Sequence, residues 1–172
     1  SAKQFDADDI NLMFGGGVDP FLRAAKSGWL DAAEVPAAVL AGIPARCAGL
    51  PTYDPERRWY GVAMSGFGIV YNKVVLQRLR LPEPKSWEDL AAPGYYGWVG
   101  SGDPRSSGSI HMCYEIMLQA YGWERGWRLI ALLGANVRNF GETGGTGPRE
   151  VAAGEVAAGL VIDQYAQTVI DE

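Results

Sequence analysis

The sequence predicts an α/β protein built on mainly parallel sheets, and three observations carry that prediction. Short β-prone runs at residues 96–100, 137–140 and 157–162 are separated by segments of helical periodicity. Glycine- or serine-rich turns at residues 15–17, 101–109 and 141–147 each stand between a β-prone run and a helical one. No internal repeat or low-complexity tract interrupts the alternation. With 172 residues, of which 48% are hydrophobic, the chain can bury a core as one ordinary domain or as two small lobes.

In chain order, residues 9–14 read as a short buried strand emptying into the glycines 15–17. Asp19 and Pro20 then open a helix, the aspartate as cap and the proline at the first helical position, with Phe21, Leu22, Ala25 and Trp29 near a 3.6-residue period. Prolines and glycines make residues 36–55 irregular. Residues 59–71 form a long β-prone stretch in which Gly66 and Gly68 mark a bend or a close approach. A helix over 74–79 is stopped by Pro82 and Pro84, and Ser86 caps a short one ending at Leu90. After the strand at 96–100, a helix over 110–121 is expected to bury Met112, Cys113, Ile116, Met117 and Ala120. Helix 124–133, strand 137–140, a helix start at 148–153, strand 157–162 and a helix from Asp163 onward complete the pattern.

Composition removes several classes of function. The 15 Lys and Arg are outnumbered by 20 Asp and Glu, and the isoelectric point is near 4.9, so no basic face is available for nucleic acid. Apolar runs such as 129–133 and 157–162 fall far short of the roughly 20 residues that span a bilayer. The chain starts at Ser1 without a charged and apolar leader, so any export signal is expected to have been removed or never to have been there. Cys47 and Cys113 lie in no C-x-x-C pair and beside no histidine, which supports neither a zinc site nor a dithiol motif. Two buried free thiols and a single disulfide are the two readings open to them.

Four segments carry candidate chemistry. Ser106, Ser107, Gly108 and Ser109 put hydroxyls and backbone N–H groups at a helix start, either as an anion site or as simple N-capping. No G-K-[ST] follows, so nucleotide hydrolysis is not implied. Residues 141–147 offer Thr143 and Thr146 in a loop that either meets a ligand or is a surface turn, and Gly16 and Gly17 repeat that choice near the start. Asp163 and Tyr165 sit where the last strand ends, the usual ligand edge of open α/β sheets, although Asp163 can equally cap the next helix. The single histidine, His111, falls inside a helix with no G-x-S-x-G, H-E-x-x-H or Cys/His pattern around it. The sequence therefore names no catalytic residue, metal ligand or cofactor, and the chain is expected not to be an enzyme.

Several segments, taken in order, resemble the type II periplasmic solute-binding proteins of bacterial ABC importers, in the branch that takes up ferric ion, thiamine, polyamines and phosphonates. They are Phe14 to Gly17, Gly28 to Leu30, Tyr53 to Pro55, Gly66 to Lys73, Ser86 to Leu90, Asp103 to Ser109, Asn139 with Phe140, Gly154 with Glu155, and Ile162 to Ala166. The resemblance implies two α/β lobes closing on a small solute. Residues 1–66 would be a partial first lobe with the start of a hinge strand over Ser65 to Tyr71, and 67–172 the second lobe, nearly complete. Gly16, Gly17, Ser65, Ser106 to Ser109, Thr143, Asp163 and Tyr165 would be the ligand-binding residues.

The resemblance also implies a fragment of a protein near twice this length, a periplasmic or extracellular location, docking on a membrane permease, and a dimer of the fragment where the truncated lobe leaves apolar surface uncovered. Ferric-binding members carry two consecutive tyrosines where this chain has Tyr165 followed by Ala166, which weakens an iron assignment. Asp163 would repel a phosphate unless a cation or hydroxyl lay between them. A small ligand with an anionic end and a cationic or hydroxyl end is expected. Two other readings are a hydrolase or transferase using Glu142 and Asp163, and the effector-sensing part of a regulator.

Overall fold

The computed structural model describes residues 12–171 apart from 16 and 48, and the chain divides into two compact units, Ser1–Ala63 and Met64–Glu172. In the first unit, α1 (Val18–Lys26) is preceded by Gly17, which makes no side-chain cap. Asp19 therefore sits inside the first turn, where its charge suits the helix dipole, and does not serve as the cap. The helix ends before Trp29, so this expected member of its apolar face is 75% exposed. Residues 9–11 of the expected first strand lie outside the described residues, and 12–14 are not in a strand.

The stretch 36–55 is less irregular than its prolines suggest. It holds α2 (Ala37–Leu40) and an antiparallel pair, β1 (Arg46–Cys47) with β2 (Leu50–Pro51). The first unit is tied together by Asp54, which is buried and accepts from Arg58 Nε at 2.7 Å, while Arg58 Nη1 reaches the Ala25 carbonyl at 3.4 Å. That guanidinium holds the Asp54 carboxyl below the usual carboxylate range.

The expected long strand at 59–71 is realised only as β3 (Phe67–Tyr71). Tyr60 forms an isolated bridge with Tyr53, and the Gly61 N–H donates to the Thr52 carbonyl at 2.7 Å. Residues 61–66 carry no regular structure, because β-prone residues become a strand only where a partner supplies ladder hydrogen bonds. Gly68 lies within the β3 ladder, paired with Val161, and marks neither a bend nor a close approach.

The second unit is a four-stranded sheet in the order β3, β6 (Ala158–Ile162), β4 (Val99–Gly102), β5 (Val137–Gly141). β6 runs parallel to β4, β4 runs parallel to β5, and β3 is antiparallel to β6 from Phe67 opposite Ile162 to Tyr71 opposite Ala158. The carboxyl ends of three strands and the amino end of β3 thus share one edge. Local chemistry places the helices between them. Asn72 caps α3 (Lys73–Leu79) by accepting from the N–H groups of Val74 and Val75, and Ser86 with Asp89 forms a capping box on α4 (Trp87–Leu90). Buried Asn136 ends α6 (Trp123–Asn136) by donating to the carbonyls of Leu90 and Ala92, both at 2.8 Å.

One face of the sheet carries the main core, with Leu160, Ala158 and Val99 against Ile110, Cys113 and Met117 of α5 (Gly108–Tyr121) and Leu129, Ile130 and Leu133 of α6. Cys113 and Met117 are buried as expected and Ile110 joins them, whereas Met112 and Ile116 are only partly covered and Ala120 is exposed. Burial pushes the Cys113 thiol up to about 12. Cys47 is exposed and both cysteines are free, so only Cys113 fits the buried-thiol reading.

On the opposite face, α7 (Thr146–Ala152) approaches β4 and β6 through glycines. A methyl added at Gly100 would stand 3.0 Å from the Gly147 Cα, and one at Gly159 would stand 3.0 Å from the Gly100 carbonyl oxygen. Glu150 of α7 comes down in the same place. Its Oε2 is buried against Gly100 without a hydrogen-bond partner, and burial raises its pKa above the ordinary glutamate value of 4.5, opposed by a hydrogen bond with Asn139. A raised folded pKa favours the protonated acid, so this group's contribution to stability is present below the unfolded pKa and lost as pH rises through the folded one. Glu150→Gln is expected to raise the melting temperature at pH 7 and leave it unchanged at pH 4. Thermal melts across that range check the sign, and a lower midpoint at pH 7 would contradict it.

Candidate functional site

The shared strand edge of the second unit gathers most of the sequence-predicted residues. β4 ends at Gly102 and β5 at Gly141, and the Asp103 N–H donates to the Gly141 carbonyl at 2.6 Å, drawing the two following loops together. A methyl at Gly102 would lie 2.6 Å from the Thr143 carbonyl oxygen, so the loop after β5 folds down onto the end of β4. Ser106 Oγ joins the same loops by donating to the Glu142 carbonyl at 2.8 Å.

Ser107 caps α5, its Oγ accepting from the Ile110 N–H at 3.4 Å, and that hydroxyl lies 3.2 Å from Ser109 Oγ. Both serines face Gly144. A methyl there would overlap Ser109 Oγ, stand 3.0 Å from Ser107 Oγ and 3.4 Å from the Tyr165 ring. Two hydroxyls, the first turn of a 14-residue helix, a backbone without a side chain and a half-exposed phenol therefore meet at one point. The N–H groups of that turn have no partner further up the helix, and the dipole makes its end positive. Hydroxyls and amides so arranged can hold a small oxyanion. Asp103 stands beside the cluster but is paired with Arg105 at 2.6 Å, which lowers its pKa.

Asp163 opens α8 (Asp163–Asp171), and its carboxylate is engaged with backbone. Oδ2 accepts from the Gly66 N–H and Oδ1 from its neighbour Gln164 N–H, both at 2.8 Å. Ser65 is met by Gln164 Nε2 at 3.1 Å. Of the remaining sequence candidates, Gly108 begins α5 and Thr143 is exposed, its carbonyl accepting from the Thr146 N–H at 3.1 Å. Gly17 precedes α1 in the first unit, and Gly16 lies outside the described residues. His111 is exposed on α5, 3.6 Å from Glu115. Sequence reasoning missed Gly144, Gly66 and Gln164. Gly144 was inside a loop already singled out, whereas Gln164 acts through a partner 99 positions away.

Comparison with known proteins agrees with this architecture. A family model described as bacterial extracellular solute-binding protein matches residues 23–172. The phosphoglycerate transport regulatory protein PgtC of Salmonella typhimurium is 31% identical over 140 residues, which make up 78% of this chain and 34% of that protein. The chain thus spans about a third of this curated relative. Two solved structures share the fold of type II periplasmic binding proteins. The periplasmic binding protein AfuA of Actinobacillus pleuropneumoniae, with exogenous fructose 6-phosphate bound, has a TM-score of 0.69 at 23% identity and covers 92% of this chain and 49% of its own. Iron-bound HitA of Pseudomonas aeruginosa has a TM-score of 0.69 at 24% identity, covering 90% and 46%. With residues 23–172 matched by that family model, the chain belongs to the bacterial extracellular solute-binding proteins.

Proposed function

We propose that the chain is the solute-capturing part of an ABC importer's binding protein, working outside the cytoplasmic membrane and delivering its cargo to a permease without chemical turnover. Residues 1–66 and 67–172 would contribute to its two lobes, with Gly16 and Gly17 as the first lobe's share of the binding residues. The ligand class is a small solute with a phosphate or similar oxyanion at one end and hydroxyls at the other. The observation that carries this reading is the meeting of Ser107, Ser109, Gly144 and Tyr165 at the start of α5. AfuA holds fructose 6-phosphate and PgtC is named a phosphoglycerate transport regulatory protein, which supports an oxyanion. Iron-bound HitA supplies the rival, and the single tyrosine at 165 followed by Ala166 argues against it, since ferric ion wants several anionic oxygens.

A thermal-shift screen of the intact protein against fructose 6-phosphate, 3-phosphoglycerate, inorganic phosphate, ferric citrate, thiamine and spermidine tests this. A phosphorylated hydroxy compound at about 100 times its dissociation constant is expected to stabilise by about 2.7 kcal/mol. A shift with ferric citrate alone would replace the oxyanion by iron. Phosphate release from a stabilising compound, followed by phosphorus NMR, would favour the hydrolase reading.

A further inference from the structure

The unstructured residues 61–66 straddle the boundary between the two units, which falls after Ala63, and lead directly into β3. At their second-unit end they are held by two consecutive residues of α8. The Gly66 N–H donates to Asp163 Oδ2 at 2.8 Å, the Asp163 N–H donates back to the Gly66 carbonyl at 2.9 Å, and Gln164 Nε2 donates to Ser65 Oγ at 3.1 Å. The very next residue, Tyr165, brings its ring beside Gly144, the glycine that the serine pair faces. Consecutive residues at the start of one helix therefore touch the candidate site and the connecting segment. The Asp163 carboxylate gives one oxygen to each of two N–H groups, which suits an anchor more than a free ligand contact.

We infer that Asp163 and Gln164 form a latch that couples occupancy of the Tyr165 and Gly144 site to the segment joining the two units. They are positioning residues, and the inference rests on the solute-binding reading given above. A solute that packs on Tyr165 restrains the first turn of α8, and the restraint passes to Ser65 and Gly66 through three hydrogen bonds. Charge-assisted bonds to a carboxylate are the stronger members of such a set. Coupling of this kind is a difference in free energy between site-occupied and site-empty states, and it is read at the segment as slower opening.

Hydrogen exchange of the intact protein at residues 64–66, with and without saturating fructose 6-phosphate or 3-phosphoglycerate, tests the latch. In the absence of solute, Asp163→Ala is expected to speed exchange of the Gly66 amide about tenfold, since a hydrogen bond to a charged group is lost. In the unaltered protein, a solute that raises the melting temperature is expected to slow exchange there at least about fivefold. Gln164→Ala is expected to keep the melting shift and lose most of that slowing. The latch is overturned if Gly66 exchanges alike in Asp163→Ala and the unaltered protein, or if solute slows Gln164→Ala as much as it slows the unaltered chain. A melting shift without any change at 64–66 overturns the coupling while leaving the binding reading intact. No melting shift with any compound overturns the binding reading and the coupling together.

Discussion

Leu160→Ala is expected to lower the unfolding free energy by about 2–5 kcal/mol, the range for truncating a buried leucine in a close-packed interior. Leu160 is fully buried in β6, a strand with partners on both sides, and belongs to the core that also holds Ile110, Met117 and Leu133. The sheet around it cannot readily close over the lost volume. β6 is paired in register with β3 on one side and with β4 on the other, so shifting its backbone would break both ladders. Leu132→Ala supplies the contrast. That leucine is on α6 and 49% exposed, so its truncation should change stability by no more than about 0.5 kcal/mol. Urea unfolding followed by far-ultraviolet circular dichroism measures both. Similar losses in the two variants would mean that the core is not where the fold places it.

The second large effect is expected at Gly144, and it is an effect on binding. A methyl at this buried position meets Ser109 Oγ and Ser107 Oγ together, so both hydroxyls must swing away or the loop after β5 must lift. Either movement removes donors from the point where an oxyanion would sit, and unpaired or misaimed donors weaken binding steeply. Gly144→Ala should reduce affinity for the stabilising solute at least about tenfold, or about 1.4 kcal/mol. Its effect on stability should stay within the range of about 1–3 kcal/mol for mild overpacking. Gly68→Ala, where a methyl meets nothing within 4 Å and φ is not positive, should bind as the unaltered protein does. Titration calorimetry with the two variants separates these outcomes. Unchanged affinity in Gly144→Ala would remove the serine pair from the site.

These two effects differ in how visible they were from the chain alone. Leu160 stands in an uninterrupted apolar run that reads as a buried strand, and its burial follows from that pattern. Gly144 is one of four glycines between 141 and 147, and nothing local distinguishes it from its neighbours. Its importance comes from Ser107 and Ser109, brought opposite it by the pairing of β4 with β5.

The same division runs through the whole molecule. Local chemistry written in the sequence was sufficient wherever a signal and its effect lie within a few residues. Asn72 and Ser86 cap the helices that follow them, Ser107 caps α5, and the apolar run before Asp163 becomes β6. Together with the spacing of the segments that resemble the solute-binding family, these settled the α/β class and the strand edge at which to look for a site. Tertiary structure alone decided what depends on partners far away in the chain. It confined the strand in the long β-prone stretch to Phe67–Tyr71, because only there does β6 offer a ladder. It added Ile110 to the buried Cys113 and Met117 of α5 and left Ala120 exposed, because helix phase follows the surface being covered and several faces of that helix are apolar. It also joined Asp163 and Gln164 to residues 66 and 65, since hydrogen-bond partners nearly a hundred positions apart are chosen by how the sheet assembles, and a local pattern carries no record of that choice.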